Sequence, residues 1–148
     1  MNPLPRTVAE VMTRHVTVLH EEDNLEDLER WMSRLRFRHL PVVDGERLVG
    51  LVTHGDLLRM ASSSLAAQPA EAEHQRQEAT FVARVMQRDV RTVSPDTPLV
   101  DAARALIDAK IGCLPVVEDG RLVGIVTAQD FVALTARLLA EREEAPAP

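Results

Sequence analysis

The chain of 148 residues contains a single cysteine, Cys113, and a single lysine, Lys110. One cysteine excludes an intrachain disulfide, which fits a reducing compartment. Aromatic residues make up only 3% of the chain, and its net charge is −6. A basic face and aromatic stacking platforms are typical of nucleic-acid binders, so this class is disfavoured. No apolar run approaches the roughly 20 residues that span a bilayer, and we expect a soluble cytoplasmic protein with neither a membrane nor a nucleic-acid partner.

Patterns typical of enzymes are also missing. The chain has only six glycines, and they do not form a glycine-rich loop that could cradle phosphate. We find no nucleophile–base pair, and the five histidines show no metal-ligand spacing with a cysteine or carboxylate partner. We therefore expect neither catalysis, nor a metal site, nor a required cofactor.

What the chain does contain is an internal repeat with a constant offset of 74 residues. Between Val8 and Asp56, 20 of 49 residues are identical to the residue 74 positions later. The segment RLVGLVTHGD that ends at Asp56, for example, returns as RLVGIVTAQD ending at Asp130. Such self-similarity predicts two copies of one structural unit. We place the copies at residues 1–62 and 81–140, with a linker at 63–80 and a disordered tail at 141–148.

Each copy has the pattern helical turn, strand, helix, strand, strand, helix, which predicts an α/β (α+β) fold. The first long helix follows from apolar residues spaced three or four apart: Leu25, Leu28, Met32 and Leu35 in the first copy, and Leu99, Ala102, Ala103, Leu106 and Ile107 in the second. Two strands then form a hairpin, with predicted turns at Asp44-Gly45-Glu46 and Glu118-Asp119-Gly120. The last helix should run to about Glu143.

Four motifs recur in the same order in both copies: the Val-Met opening, the first strand, Leu-Pro-Val-Val, and Leu-Val-Gly-[Leu/Ile]-Val-Thr-x-x-Asp. Together they resemble the cystathionine-β-synthase (CBS) domain over roughly Thr7–Met60 and Phe81–Leu134, and two such domains resemble a Bateman module. The resemblance implies a pseudo-twofold pair packed through its small sheets. It also implies two clefts between the units that hold adenine nucleotides or adenosyl compounds, and dimerisation through helices.

Thr53 with Asp56, and Thr127 with Asp130, are the first candidate binding residues. A carboxylate at the start of a helix can accept two hydrogen bonds from the cis-diol of a ribose. The same spacing is also that of a capping box, in which Thr and Asp satisfy the helix N-terminus. The resemblance implies the ribose contact, and both roles can coexist.

Arg38 and His39, just before Leu-Pro-Val-Val, are candidates for contact with phosphate. A guanidinium matches phosphate oxygens well, although cations also suit a solvated helix end. The resemblance implies phosphate contacts at these positions. The second copy has Gly112 and Cys113 there, so the two clefts should differ: one suits a polyphosphate, the other a less charged ligand or none.

Thr92 matches the position at which, by the resemblance, the first strand approaches adenine. The first copy has Val18 there, and Thr17 one residue earlier points to the opposite strand face. Val18 can still pack on a purine, while Thr92 is equally consistent with an ordinary half-buried strand residue.

The resemblance implies a regulatory module that binds AMP, ADP, ATP, S-adenosylmethionine or NAD and signals to a separate protein partner. The alternative is a dimerisation or interaction scaffold with vestigial clefts, which the missing basic pair of the second copy supports. A homodimer is expected in either case, and Trp31, which corresponds to Ala105, is a candidate anchor of its interface.

Overall fold

The computed structural model describes residues 3–35, 38–63 and 82–147. Short 3₁₀ helices cover Val8–Glu10 and Val82–Arg84. The longer elements repeat one order: α1 (Leu25–Leu35), β1 (His39–Asp44), β2 (Arg47–Thr53) and α2 (His54–Ser63), then α3 (Leu99–Ala109), β3 (Cys113–Glu118), β4 (Arg121–Thr127) and α4 (Ala128–Glu144). The α/β fold class is therefore confirmed. The linker beyond Ser63 and the side chain of Trp31 lie outside what is described.

The predicted first strand of each repeat is reduced to a single bridge. Leu19 pairs with Val42 of β1, and Val93 pairs with Val116 of β3, both in parallel. Each bridge consists of two backbone hydrogen bonds, for example from the Val43 amide to the Leu19 carbonyl at 2.9 Å. Within each predicted strand, only the last residue joins a sheet.

The hairpins are one residue tighter at the turn than the sequence predicts. β1 and β2 pair antiparallel from His39 opposite Thr53 to Asp44 opposite Arg47, so only two residues connect them. In the second hairpin, Asp119 and Gly120 have φ values of 51° and 79°. Two successive positive φ values are typical of a type I′ turn, whose twist matches that of the flanking strands.

Helix α3 buries three of the five predicted apolar positions, Leu99, Ala102 and Leu106. Its buried residues are Leu99, Ala102, Ala105 and Leu106, whereas Ile107 is 72% exposed. At about 100° per residue, Ile107 lies roughly 80° beyond the edge of this stripe at Leu99. Ile107, one of the five apolar positions of the predicted helix, therefore lies outside the buried stripe, and Ala105, which is not among the five, lies within it.

Helix α4 extends beyond residue 140, where the second copy is predicted to end. It runs to Glu144, so the first residues of the segment set apart as a tail are helical, and none of its residues is fully buried. In the part of the chain that is described, no helix combines the length and the apolarity needed to cross a bilayer.

The described residues form two compact units that exchange segments of the two repeats. Unit 1 comprises Met1–His15, Arg91–Asp119 and Val123–Pro148, whereas unit 2 comprises Val16–Val90 and Gly120–Leu122. The opening turn of the first repeat therefore belongs to unit 1, with the strands and helices of the second repeat. The opening turn of the second repeat belongs to unit 2 in the same way.

Each core contains a Val-Met pair from the opposite repeat. In unit 1, Val8 and Met12 pack with buried residues of the second repeat, including Leu106 and Val126. In unit 2, Val82 and Met86 pack with buried residues of the first repeat: Leu19, Leu28, Met32, Leu40, Val42 and Val52. Burial of large apolar side chains stabilises each core by about 1.5–3 kcal/mol per residue, so the Val-Met motif helps to complete each unit.

The glycine of each Leu-Val-Gly motif makes room for this methionine. A Cβ on Gly124 would lie 2.7 Å from the Met12 sulfur, and a Cβ on Gly50 would lie 2.5 Å from the Met86 sulfur. Real Cβ atoms do not approach other atoms so closely. Two motifs that lie far apart in the sequence thus complement each other sterically.

Candidate functional site

In unit 2, the open end of the β1–β2 hairpin brings together four of the residues singled out in the sequence. His39 lies directly opposite Thr53 in the antiparallel ladder. The His54 amide donates to the Arg38 carbonyl at 2.9 Å, which ties the start of α2 to the residue before β1. Arg38, His39, Thr53 and Asp56 therefore surround one helix N-terminus, where partial positive charge favours an anion.

Thr53 and Asp56 form a capping box. The Thr53 amide and hydroxyl donate to Oδ2 of Asp56 at 2.8 and 3.0 Å, and the Asp56 amide donates to the Thr53 hydroxyl at 3.3 Å. The box satisfies backbone groups at the helix start that would otherwise have no partner. The capping interpretation is therefore correct for this pair.

Two further side chains hold the Asp56 carboxylate. Arg59, one turn along α2, donates to Oδ1, while Nε2 of Gln87 lies 3.1 Å from Oδ1 and 3.3 Å from Oδ2. Asp56 is only 7% exposed. Burial acts to raise its pKa, but the hydrogen bonds from Thr53, Gln87 and Arg59 outweigh burial and lower the pKa below its usual value.

Unit 1 has the same capping box at the start of α4. The Thr127 amide and hydroxyl donate to Oδ2 of Asp130 at 2.8 and 3.1 Å, and the Asp130 amide donates back to the hydroxyl at 3.3 Å. The Ala128 amide donates to the Gly112 carbonyl at 2.9 Å. Among the described residues, no hydrogen bond reaches Oδ1 of Asp130, and Asp130 is half-buried. This oxygen can therefore accept hydrogen bonds from a ligand.

The residues at the start of the two hairpins differ in their electrostatics. Burial lowers the pKa of His39, and the positive charge of Arg38 lowers it further, so the imidazole is neutral at pH 7. Arg38 itself is exposed. In unit 1, Cys113 is buried, and burial raises the pKa of its thiol to about 12. Cys113 acts as a small apolar residue there.

A sequence profile of the CBS domain matches the chain twice, at residues 8–63 and 82–136. The two matches coincide with the repeat and cover most of the chain. The chain belongs to the CBS domain family.

Three solved CBS-type structures show the same fold over nearly the whole chain. A candidate acetoin utilization protein (AcuB) from Vibrio cholerae is 39% identical, with a TM-score of 0.77 over 95% of this chain and 98% of that one. CBSX2, solved in complex with AMP, is 28% identical, with a TM-score of 0.77 over 91% and 99%. The CBS domain pair of protein MJ0100, solved with 5′-methylthioadenosine and S-adenosyl-L-methionine, is 25% identical, with a TM-score of 0.71 over 92% and 99%.

Two curated relatives are longer proteins that match this chain over part of their length. Protein MJ1225 of Methanocaldococcus jannaschii is 34% identical over 127 residues, and the match covers 84% of this chain but 45% of that protein. A homoserine O-acetyltransferase of Methanohalophilus mahii is 30% identical over 133 residues, or 88% of this chain and 25% of that protein. The chain spans less than half the length of these relatives.

The candidate adenine contacts lie one residue before each parallel bridge of the CBS units. Thr92 is exposed and precedes Val93, whereas Val18 is half-buried and precedes Leu19. Leu19 and Val93 belong to or pack against the two core clusters, whereas Val18 and Thr92 do not. Among the described residues, no hydrogen bond joins Thr92 to Thr127 or Asp130.

The sequence does not identify Arg59 and Gln87 as site residues, although in the structure both donate hydrogen bonds to Asp56. The three-residue spacing of Asp56 and Arg59 on one helix is a readable signal for an ion pair. Gln87 gives no such signal, because it lies 31 residues from Asp56 and reaches it only through the exchanged segment. The described residues contain no cluster of three or more His, Cys, Asp or Glu that could hold a metal ion.

Proposed function

We propose that this CBS pair is a regulatory module that binds an adenosine-containing ligand through Thr127 and Asp130 and signals to a separate protein. The observation that carries the proposal is the accessible Oδ1 of Asp130, held in place by a capping box that uses only Oδ2. Ribose offers two adjacent hydroxyls, and a fixed carboxylate oxygen accepts both without reorganising. No catalytic step is part of this function.

The ligand class is suggested by the relatives. CBSX2 is described with AMP, and the MJ0100 pair with 5′-methylthioadenosine and S-adenosyl-L-methionine. Adenosine is the part that these compounds share. AMP, ADP, ATP, S-adenosylmethionine and NAD are therefore the candidate ligands of this chain.

Four other residues are proposed to contact the rest of a ligand that is held in their own unit, which is unit 1 for Thr92 and unit 2 for Val18, Arg38 and His39. Thr92 and Val18 would contact adenine, since they occupy equivalent positions of the repeat and neither belongs to a core cluster. Arg38 and His39 would contact phosphate, since they lie beside the N-terminus of α2, where an anion is favoured. Thr53 and Asp56 complete the proposed set in unit 2, where Arg59 and Gln87 compete with a ribose for the Asp56 carboxylate.

Signalling requires a difference in affinity between two arrangements of the module. A ligand shifts an equilibrium only by the ratio of its affinities for the two states. The protein partner would then bind one of these states preferentially, and the ligand would control how much of that state is present.

Isothermal titration calorimetry with AMP, ADP, ATP, S-adenosylmethionine and NAD tests the proposal, with CMP as the control for the nucleobase. We expect saturable heat with at least one adenosine compound and none with CMP. Asp130→Asn should weaken binding by about tenfold or more, because a charge-assisted hydrogen bond contributes about 1.5–3 kcal/mol. The amide oxygen of the variant can still cap α4.

Asp108→Asn, which removes one exposed carboxylate from α3, is the matched control and should bind as the wild type does. No heat with any adenosine compound, or equal affinity in Asp130→Asn, would contradict the proposal. When ligand is bound on Asp56, a loss of AMP-over-adenosine preference in Arg38→Ala would support the phosphate contact. An unchanged preference in Arg38→Ala and His39→Ala would exclude it.

Dimerisation is a second candidate function, favoured by exposed apolar side chains on two helices of unit 1. Val100 and Ile107 of α3 and Val132 and Leu139 of α4 are all more than half exposed. Such residues on a helical surface suit a second copy of the chain. Light scattering at micromolar concentration should give twice the chain mass for the wild type and the mass of one chain for Ile107→Glu. If dimerisation is the function, no adenosine compound should change the melting temperature of the wild type.

A further inference from the structure

The Asp56 carboxylate is saturated by its own chain. Thr53, Arg59 and Gln87 together supply at least two donors to each of its oxygens, and a carboxylate has roughly four acceptor positions. A ribose diol would find no free acceptor there. By contrast, Oδ1 of Asp130 lacks a hydrogen-bond partner among the described residues, although Thr127 holds Oδ2 in the same way.

The difference between the two carboxylates follows from two positions of the repeat. The residue equivalent to Arg59 is Ala133, which has no donor, and the residue equivalent to Gln87 is Thr13. Gln87 and Thr13 hold the same backbone place, since the Gln87 amide donates to Leu51 at 2.9 Å and the Thr13 amide donates to Ile125 at 2.9 Å. Only the side chains differ.

The cost of ligand binding therefore differs between the two carboxylates. At Asp130, ribose hydroxyls replace water on Oδ1, an exchange that leaves the capping box intact. At Asp56, they must first displace the Arg59 guanidinium, and a charge-assisted hydrogen bond is about twice as strong as a neutral one. Arg59 is largely exposed and Gln87 is exposed as well, so each is free to be replaced without disturbing the core.

From this difference we propose that Arg59 and Gln87 close the Asp56 position to ligand, so that each chain binds one adenosine-containing molecule, at Asp130. The inference rests on the proposed function and adds to it the number of sites and the residues that set this number. Arg59 and Gln87 are specificity-determining residues in this account, because they compete with ribose for the carboxylate.

Exchanging the two positions between the repeats tests the inference. The opened variant, Arg59→Ala with Gln87→Thr, gives Asp56 the neighbours that Asp130 has. The closed variant, Ala133→Arg with Thr13→Gln, gives Asp130 the neighbours that Asp56 has. The probe is the adenosine compound that binds the wild type in the calorimetric panel, AMP being titrated first, and circular dichroism verifies that each variant is folded.

We expect one site per chain in the wild type, two in the opened variant, and at least tenfold weaker binding in the closed variant. Arg137→Ala, which removes another exposed arginine from a helix, should leave the stoichiometry at one. A gain of a site cannot result from misfolding, so the opened variant keeps the test decisive if the closed variant is unstable.

Two other outcomes have different meanings. Two equivalent sites in the wild type, or binding that Asp56→Asn removes and Asp130→Asn does not, would overturn this inference and leave the proposed function standing. No binding of any compound by either the wild type or the opened variant would overturn the proposed function, and this inference with it.

Discussion

Gly124 lies so close to Met12 that a Cβ in its place would fall 2.7 Å from the Met12 sulfur and 2.9 Å from the Thr13 carbonyl oxygen. The methionine side chain can move, but the carbonyl belongs to the backbone pairing with Ile125. Gly124→Ala should therefore destabilise the protein by about 1–3 kcal/mol, measured by urea denaturation. Gly50→Ala should cost less, because its nearest backbone atom, the Gln87 carbonyl oxygen, would be 3.1 Å away.

Gly55→Ala is the control for these two changes. A Cβ at Gly55 would meet its nearest neighbour at 3.6 Å, an ordinary contact. Within α2, alanine is the better helix former, so stability should be unchanged or slightly higher. Equal stability of Gly124→Ala and Gly55→Ala would contradict the steric account of the motif.

Asp56 should contribute stability that is lost in acid. Its pKa is below the usual value of about 3.9 because hydrogen bonds outweigh burial. The unfolded chain therefore binds the proton first as the pH falls, so the contribution is complete above about pH 4–5 and disappears through the lower, native pKa. Denaturation from pH 7 to pH 2 should show a steeper loss for the wild type than for Asp56→Asn.

At pH 7, Asp56→Asn should itself be about 1–3 kcal/mol less stable than the wild type, because Arg59 and Thr53 lose a charged acceptor. Asp108→Asn is exposed and should follow the wild-type pH profile. Parallel profiles for the wild type and Asp56→Asn would show that the hydrogen bonds do not shift the titration of this group.

His39 should make the folded state sensitive to mild acid. Burial, assisted by the charge of Arg38, lowers its pKa, so protonation favours the unfolded chain, in which the pKa is about 6.5. Stability should fall as the pH drops below about 6.5 and level off below the native pKa. In His39→Gln, the free energy of unfolding should not show this decline with pH. NMR titration of the wild-type imidazole should give a midpoint below 6.5.

The Thr127 hydroxyl should stabilise α4 independently of any ligand. Thr127→Val keeps the shape of the side chain but removes the oxygen that accepts from the Asp130 amide. Loss of such a cap costs about 1 kcal/mol, which thermal denaturation of the ligand-free protein can measure. Thr135→Val is the control, because the Thr135 hydroxyl donates to the Phe131 carbonyl within α4 and, among the described residues, to no capping position. A loss in Thr135→Val equal to that in Thr127→Val would argue against the capping box.

Much of the fold can be predicted from the sequence because the repeat constrains both halves at once. The α/β class and the end of α4 near Glu143 follow from periodicity and motif order. The exposure of Ile107 on α3 cannot be predicted in this way, because apolar spacing alone leaves neighbouring stripes of the helix nearly equivalent. The exchange of Met12 and Met86 between the repeats is also invisible in the sequence, since no local pattern encodes a tertiary partner.

The candidate site is predictable to the same degree. Spacing indicates Thr127 and Asp130, and both the capping box and an accessible oxygen are found there. Whether the Asp56 carboxylate has a free acceptor position depends in part on Gln87, and only the fold brings Gln87 close to Asp56. Two positions with identical motifs therefore differ through residues outside the motif.

A crystal structure of the chain with AMP tests the central claim most directly. The account predicts one AMP per chain, with both ribose hydroxyls within hydrogen-bond distance of Asp130 Oδ1 and with Arg59 still on Asp56. AMP bound on Asp56 with Arg59 displaced, or bound away from Thr127 and Asp130 altogether, would contradict it.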